Sequence, residues 1–543
     1  MSTSRGLWSR IATALWPSAS SETNQTPRER SIQAEIEAAS REAYRWARVD
    51  RRTQHYQPAA LSGDAAIWES HDLMNRRIRD QVINTAQAKR IVDELTNLVV
   101  GTGIQTFSAP FDPWMDITAI DMGELDDDLR FALEADDWYQ DWYGSADQFD
   151  AMGKLSGPDM QRLAFSECVQ VGDAIILRCQ RNDPNRIVPL CYQIIEREQL
   201  DTTKDRPASR GRNKIVNGVE VDANSREVAF HIYDAHPYDT FASFAGTTKS
   251  TRVPANRVIH LFAFRRPSQT VGASWLDAIG QSSFDRDKFI GAELQSAAKA
   301  ALLALIAKRL NPNTGTLGLE TDEDSETDAY GNEEVKMGSS PVAVEIGVDE
   351  EVEMVESTRP TNTANNFVDI LDHDIAGGSG LSYYTLTGRF DKTNYTGFRG
   401  AMMVEDAHIR PLQNWFGVRY VLPIRREFNR QAAGSGLYRS LTARQFANEL
   451  RRYQRFDAIG AGRQPLDPDQ EADAATSRIR TGTSTLKIEC ARAGLHWIRV
   501  LRQRAIEDRI AKTLGVTLDF SKGEGAKKTD KNQTAAGVGA NNG

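Results

Sequence analysis

His231, Asp234, His236 and Asp239 fall within nine residues of the 543-residue chain, spaced His-x-x-Asp-x-His-x-x-Asp. Imidazole and carboxylate are donor types that bind transition metals. The run crosses the end of an alternating apolar segment and the start of a turn, so its side chains should diverge, and no metal site is expected. Asp136-Asp137 offers the paired carboxylates of a glycosidase. Adjacent residues of a helix point different ways, however, and the pair reads as a solvated face. Gly523-Glu-Gly-Ala-Lys-Lys-Thr529 has P-loop residue types without the GxxxxGK[ST] spacing, and only fourteen residues follow Thr529. Gly101-Thr-Gly103 lacks the third glycine of a dinucleotide fingerprint. No GxSxG or HExxH run occurs, and eight histidines with four scattered cysteines (Cys168, Cys179, Cys191, Cys490) nominate no nucleophile–base pair. These absences shift weight towards a structural protein, with no metal and no cofactor expected.

Charge carries more information than any of these motifs. The net charge is −9, yet residues 320–356 hold fourteen acids and one base, Lys336. The remainder therefore nets −9 + 13 = +4. The chain is a mildly basic body with one acidic insert. Apolar residues make up 40% and charged residues 26%, which supports a core and excludes a wholly disordered chain. The most apolar stretch, Ala300 to Ala307, is eight residues long, against the roughly 20 that a bilayer needs. No CxxC pair points to a disulfide framework or a zinc ribbon.

The elements that must position these groups form an α+β pattern. Leu7, Trp8, Ile11 and Leu15 suit a short amphipathic helix better than a secretion signal. Residues 17–30 read as a polar linker and 31–48 as a helix. A helix over about 70–100 has Ile83, Ile91, Leu95 and Leu98 on one face, and a second covers 124–143. From 165 to 265 the period changes to that of strands: Ile187–Glu196, a hairpin of Val219/Val221 with Val228/Phe230/Ile232, and Arg257–Phe264. Asn217-Gly218 marks a tight turn. Residues 283–310 predict the strongest helix, with Ile290, Leu294, Ala298, Ala301 and Leu305 in one stripe. Val342, Val344, Ile346 and Val348 alternate as a strand, with Val352/Met354 as its return. A helix over 362–376 should end at Gly377-Gly378. A long helix over 396–430 should kink at Pro411 and Pro423. Residues 440–515 read as helical and basic, and the tail after Phe520 as disordered.

Several short motifs then occur in a fixed order: Gly101-Thr-Gly-Ile104, Val171-Gly-Asp173, His236-Pro-x-Asp239, Val253-Pro-Ala-x-Arg-Val-Ile-His-Leu-Phe262, Arg266-Pro-Ser-Gln269, Gly272-x-Ser-Trp-Leu276, Gly380-Leu-Ser-Tyr-Tyr-x-Leu-Thr-Gly388 and Thr393-Asn-Tyr-Thr-x-x-Arg399. This set, over roughly residues 75–510, resembles the lambda-type portal proteins of tailed bacteriophages. The chain departs from the family near Ser268, Val271 and Thr396-Gly397, which bears on loop detail.

The resemblance implies an α+β portal fold: an α/β wing, a helical stem, a β-containing clip and an α-helical crown, assembled into a dodecameric ring. The boundaries it implies are a flexible segment at 1–30, wing 31–270, first stem helix 271–310, acidic clip 311–360, second stem helix 361–378, tunnel loop 379–398, kinked wing helix 399–435, crown 436–515 and tail 516–543. It implies a channel at the capsid vertex for DNA packaging and ejection, located in the virion and in the host cytoplasm during assembly. The implied partners are further copies of the chain, double-stranded viral DNA, the terminase large subunit, a head–tail adaptor, and the major capsid and scaffold proteins, with no membrane. Candidate residues are Arg389 and Lys392 in the tunnel loop for DNA, Ala298, Ala301 and Leu305 for ring packing, and Glu320, Asp322, Asp324, Glu350 and Glu351 as clip acids. Two alternatives are a metal-dependent DNA-processing enzyme using Asp322, Asp324, Asp349 and Glu351, and another capsid structural protein, which would form shells.

Overall fold

The computed structural model describes residues 51, 54–68, 70–110, 122–239, 249–302, 306–309, 350–353, 362–391, 393–463 and 465–516. The expected 7–15 helix, 17–30 linker, 31–48 helix, 342–348 strand and 520–543 tail lie outside these residues, as do Leu305, Glu320, Asp322, Asp324, Asp349 and Lys392. The chain forms two units, Met1–Ser62 and Gly63–Gly543. The described residues of the first are exposed turn and irregular backbone. The second carries the fold.

It opens with α1 (Gly63–Trp68), α2 (His71–Asn84) and α3 (Ala86–Val99). The pattern expected as one helix over 70–100 is two, because Thr85 is extended (φ −113°, ψ 119°) and breaks it. The break turns Ile83 out to solvent, while Ile91 and Leu95 stay buried. Next come β1 (Gln105–Ser108), α4 (Met122–Gly144), α5 (Ala146–Phe149) and α6 (Gly157–Val171). A capping box starts α6: the Asp159 N–H donates to Ser156 Oγ, and the Ser156 N–H donates to the Asp159 carboxylate. Gly172 ends it at φ +99°. A Cβ on Gly272 would lie 2.0 Å from the Gly172 carbonyl oxygen, so only glycine fits this crossing.

Seven strands follow: β2 (Asp173–Gln180), β3 (Leu190–Ile195), β4 (Lys214–Val216), β5 (Val219–Val221), β6 (Glu227–Tyr233), β7 (Ser250–Pro254) and β8 (Val258–Phe262). They form two antiparallel sheets, ordered β3-β2-β8 and β4-β5-β6-β7. Asn217 and Gly218, both at positive φ, make the two-residue β4–β5 turn that the sequence marked. Cys179 and Cys191 face each other across β2 and β3 as free thiols. Between the sheets, the His260 ring is fully buried, with Nδ1 2.6 Å from Glu227 and Nε2 3.2 Å from Asp173. Asp173 also pairs with Arg197 and accepts the Gly272 N–H. Burial pulls the His260 pKa down, but its two carboxylates outweigh it and raise the pKa to about 9.

The chain then runs through α7 (Asp277–Leu302), β9 (Ile306–Arg309), β10 (Glu350–Glu353) and α8 (Asn362–Ser379). The helix expected over 283–310, placed within the 271–310 segment, is described as far as Leu302 and has ended by Ile306. Ile306–Arg309 is instead a strand paired antiparallel with Glu350–Glu353. Apolar residues nearly all round had concealed this change of structure, since a short apolar run fits strand and helix alike. At the other end, α8 continues through Gly377-Gly378 to Ser379, and Gly380 is the residue at positive φ.

Beyond it lie α9 (Tyr383–Thr387), α10 (Tyr395–Phe416), a π-helical turn at Gly417–Val421 and α11 (Leu422–Gly434). Pro411 sits inside α10, and Pro423 directly follows the π turn; the residues at both junctions are helical, so α10, the turn and α11 run on as one helix. The π turn absorbs the register change. The C-terminal region comprises α12 (Ala443–Asn448), α13 (Leu450–Tyr453), β11 (Phe456–Ile459), α14 (Pro468–Arg480), α15 (Leu486–Arg492) and α16 (Trp497–Leu514). It is not all helical as expected: β11 pairs with β1, register Gln105↔Ile459 to Ser108↔Phe456. The main core gathers α2, α3, α4, α6, β2 and β3 around α10 and α11, with Trp142, Phe149, Phe165, Phe416 and Phe428 fully buried.

Candidate functional site: a helical hairpin and the loop behind it

Helices α7 and α8 run antiparallel. Their contacts pair ascending with descending residues: Ser282 Oγ donates to Asp374 Oδ2 (3.0 Å), Arg286 pairs with Asp372, and the Phe289 and Phe367 rings lie 4.9 Å apart. The Asp372 carboxylate is buried and also accepts from Gln87 Nε2 of α3 (2.7 Å), which fixes the root of the hairpin to the body. Along its length the hairpin leaves large apolar side chains in the open. Leu294 is 70% exposed and Ile370 65%, with Phe284, Ile290 and Phe367 also exposed. Ala298 and Ala301 lie near the C-terminal end of α7. Of the five expected clip acids, Glu350 and Glu351 occupy ladder positions opposite Arg309 and Lys308.

The segment after α8 is held at both ends by left-handed glycines, Gly380 and Gly388. Between them, the Ser382 N–H donates to Glu405 Oε1 of α10 (3.0 Å), and Arg90 Nε of α3 donates to the Thr385 carbonyl (3.1 Å). A third attachment runs to α8. Asp369 Oδ1 accepts from the Tyr383 hydroxyl (3.1 Å) and from Arg389 Nη1 (3.0 Å), and the His373 ring stacks on Tyr383 at 4.1 Å. Burial and then the bond to Asp369 raise the Tyr383 pKa. The Tyr383 hydroxyl thus ties this segment to α8. Arg389 was expected to be open to DNA and is half-exposed in an ion pair. Nothing in the sequence pointed to Asp369, since its partner lies twenty residues away across a loop.

The structure separates the four residues of the His/Asp run. His231 Nε2 lies 3.7 Å from Glu220, Asp234 accepts from the Thr251 hydroxyl, and His236 Nε2 lies 2.9 Å from Glu196. Among the described residues, Glu196, Glu198 and His236 alone bring three metal-ligand atoms close together. Their chemistry is that of ion pairs. Arg79 takes both Glu198 oxygens at 2.9 and 3.0 Å. The Tyr238 N–H donates to His236 Nδ1, which leaves Nε2 as the protonated nitrogen facing Glu196.

The expectation for Asp136-Asp137 needs correction at the first residue. Asp137 is exposed, but Asp136 is buried, accepts the Ser108 N–H (2.9 Å) and pairs with Arg425 Nη2 (2.6 Å). Burial raises its pKa against the pull of Arg425. Sequence reasoning missed it because its partner is 289 residues away.

Residues 49–413 match the family described as phage portal protein, lambda family. The chain belongs to that family. A probable portal protein of Halomonas phage phiHAP-1 is 26% identical over 484 residues, covering 88% of each chain. Among solved structures, the neck of a native gene transfer agent particle computed with C12 symmetry aligns with TM-score 0.40 and 10% identity, covering 79% of this chain and 95% of that one. An HK97-family phage portal protein from Corynebacterium diphtheriae aligns with TM-score 0.30 and 12% identity, over 63% and 88%. As a portal family member the chain has a structural role in the virion, and the α7–α8 hairpin with its following loop falls wholly inside the matched region.

Proposed function

We propose that copies of this chain close into a ring, twelve in the expected case, that passes double-stranded DNA at the capsid vertex. The observation that carries this reading is the α7–α8 hairpin, whose outer sides expose Phe284, Leu294 and Ile370 while its inner contacts are satisfied. Apolar side chains along an exposed hairpin are stable when neighbouring copies cover them. The hairpin serves as the stem, and the acidic insert between its helices as the clip that docks the terminase large subunit and the head–tail adaptor. The β2–β8 body is the wing, with capsid and scaffold proteins around it, and assembly takes place in the host cytoplasm. DNA must slide rather than bind, and a wall that is not uniformly basic avoids the many phosphate contacts that would hold it. The protein catalyses no reaction in this role.

Negative-stain electron microscopy of the purified chain tests the reading. Closed rings are expected. Shells would favour another capsid protein, and a monomer that cuts DNA with Mg²⁺ would favour the DNA-processing enzyme.

A further inference from the structure

The β2–β3 ladder sets Cys179 directly opposite Cys191. Residues directly opposite on an antiparallel pair carry their side chains on the same face of the sheet. The hydrogen bonds around them show which kind of pair this is. Two residues further along, the Arg181 N–H donates to the Pro189 carbonyl (2.8 Å), and the Ala151 N–H donates to the Tyr192 carbonyl (2.8 Å) from the far side of β3. By the alternation of the ladder, Cys179 and Cys191 are a hydrogen-bonded pair, whose Cα atoms lie about 5.5 Å apart. That separation falls where disulfides are commonest. Cys179 Sγ lies 3.9 Å from the Leu177 carbonyl oxygen. The same alternation turns that carbonyl towards β3, so the sulfur leans towards Cys191. Cys168, by contrast, has a partner of its own and donates its thiol proton to the Leu261 carbonyl (3.1 Å). Cys179 is partly open to solvent and Cys191 is buried. Burial raises both thiol pKa values, against the pull of Arg257 on Cys179 and of Arg186 on Cys191. Thiol exchange at this site is therefore slow, and it begins at Cys179, the sulfur that solvent reaches.

We infer that Cys179 and Cys191 are a redox pair, two thiols in the reducing host cytoplasm and a disulfide once the particle has left the cell. The oxidant is a low-molecular-weight disulfide of the glutathione class. Cys179 gives up its proton, and its thiolate attacks one sulfur of the oxidant, forming a mixed disulfide and releasing the first small thiol. Cys191 then gives up its proton, and its thiolate attacks Cys179 Sγ, breaking the mixed disulfide and releasing the second small thiol. The two protein thiols lose two electrons and two protons, and the oxidant takes up both as it becomes two thiols. The bond closes a thirteen-residue loop and clasps the β2–β3 hairpin. The turn of that hairpin carries Arg186, which donates to the Asp147 and Gln148 carbonyls of α5. The clasp therefore holds the hairpin turn against α5. The timing rests on the assembly and virion reading above; the bond itself rests on the strand register alone.

The test treats the reduced full-length chain with oxidised glutathione, unfolds it in the presence of iodoacetamide and maps the tryptic peptides by mass spectrometry. Trypsin separates Cys179–Arg181 from Ile187–Arg197, so a bond between the cysteines joins two peptides that part on reduction. The joined pair is expected, with Cys168 alkylated. Cys191→Ser should stop at a glutathione adduct on Cys179. Cys179→Ser, whose remaining thiol is buried, should react about tenfold more slowly or less. Oxidation should raise the melting temperature of the wild type by about 2–5 °C and leave that of Cys191→Ser unchanged. A wild type that keeps both thiols, or that stops at the adduct, would overturn the pair whether or not the chain forms rings. The same mapping, with thiols blocked at once, checks the timing: the peptides should be separate in protein from unlysed cells and joined in released particles. Joined peptides inside cells, or separate peptides in released particles, would overturn the timing and leave the bond standing.

Discussion

Arg425 is the side chain whose removal should cost this fold most. It rises from α11 and is fully buried. Its Nη2 reaches Asp136 of α4 at 2.6 Å and Ser108 Oγ of β1 at 2.8 Å, and its guanidinium lies 4.2 Å from the Tyr139 ring and 5.3 Å from the Phe456 ring of β11. One group therefore ties together α4, α11 and the β1–β11 pair that joins the two ends of the main unit. Arg425→Met keeps a long unbranched side chain and removes the charge. Asp136 is then left in the core with hydrogen bonds and no cation, and the loss of one partner of a buried pair costs about 3–5 kcal/mol. Adding Asp136→Leu removes the orphaned carboxylate, so the double variant should regain at least about 2 kcal/mol over Arg425→Met. Urea unfolding followed by tryptophan fluorescence, under conditions where the chain is monomeric, measures both values. A loss below about 1 kcal/mol in the single variant, or losses that simply add in the double variant, would refute the reasoning.

The other predictions concern pH, the insert and the loop. His260 is protonated in the fold up to about pH 9 but only to about 6.5 when unfolded, so its contribution is complete below pH 6.5 and disappears as pH rises through 9. Wild-type stability should therefore fall between those values by up to ~3 kcal/mol, and the melting temperature of His260→Gln should be flatter over the same range. Deleting residues 320–334 should leave the described fold intact by circular dichroism and impair attachment of terminase or adaptor, scored by packaging and tail joining. Arg389→Ala with Lys392→Ala should still assemble rings and should retain packaged DNA less well, scored as the ratio of filled to emptied heads; normal retention would remove the loop from the list of DNA contacts.

What could be read from the sequence divides along a physical line. Local signals were legible: the alternation of Val219/Val221 with Phe230/Ile232, the Asn217-Gly218 turn and the helix over 124–143 all appear where expected. The errors arise where a distant partner overrides the local pattern. The apolar run Ala300–Ala307 fits a helix, yet its last two residues begin the strand Ile306–Arg309, which pairs with β10 more than forty residues on. Phe456–Ile459 lies among helices and becomes a strand because β1 offers a free edge. Asp136 has the environment of a surface acid until Arg425 is placed beside it. Of the candidate residues, Arg389 was identified as a cation of the loop, while its partner Asp369 had no sequence signal at all.

In the proposed channel, Asp369 sets what holds Arg389 while no phosphate is near. An arginine half-open to water and paired with one carboxylate gains at most about 1 kcal/mol from that pair. That is enough to favour one position of the segment between Gly380 and Gly388, since Tyr383 shares the same carboxylate. It is too little to resist a phosphate brought within a Debye length, about 8 Å at physiological salt. A firmly buried pair like Arg425–Asp136 would lock the loop, and a bare arginine would hold phosphate in every copy at once. The weak pair lies between these extremes, and in the proposed channel exchange between Asp369 and a passing phosphate would let the loop touch DNA without stopping it.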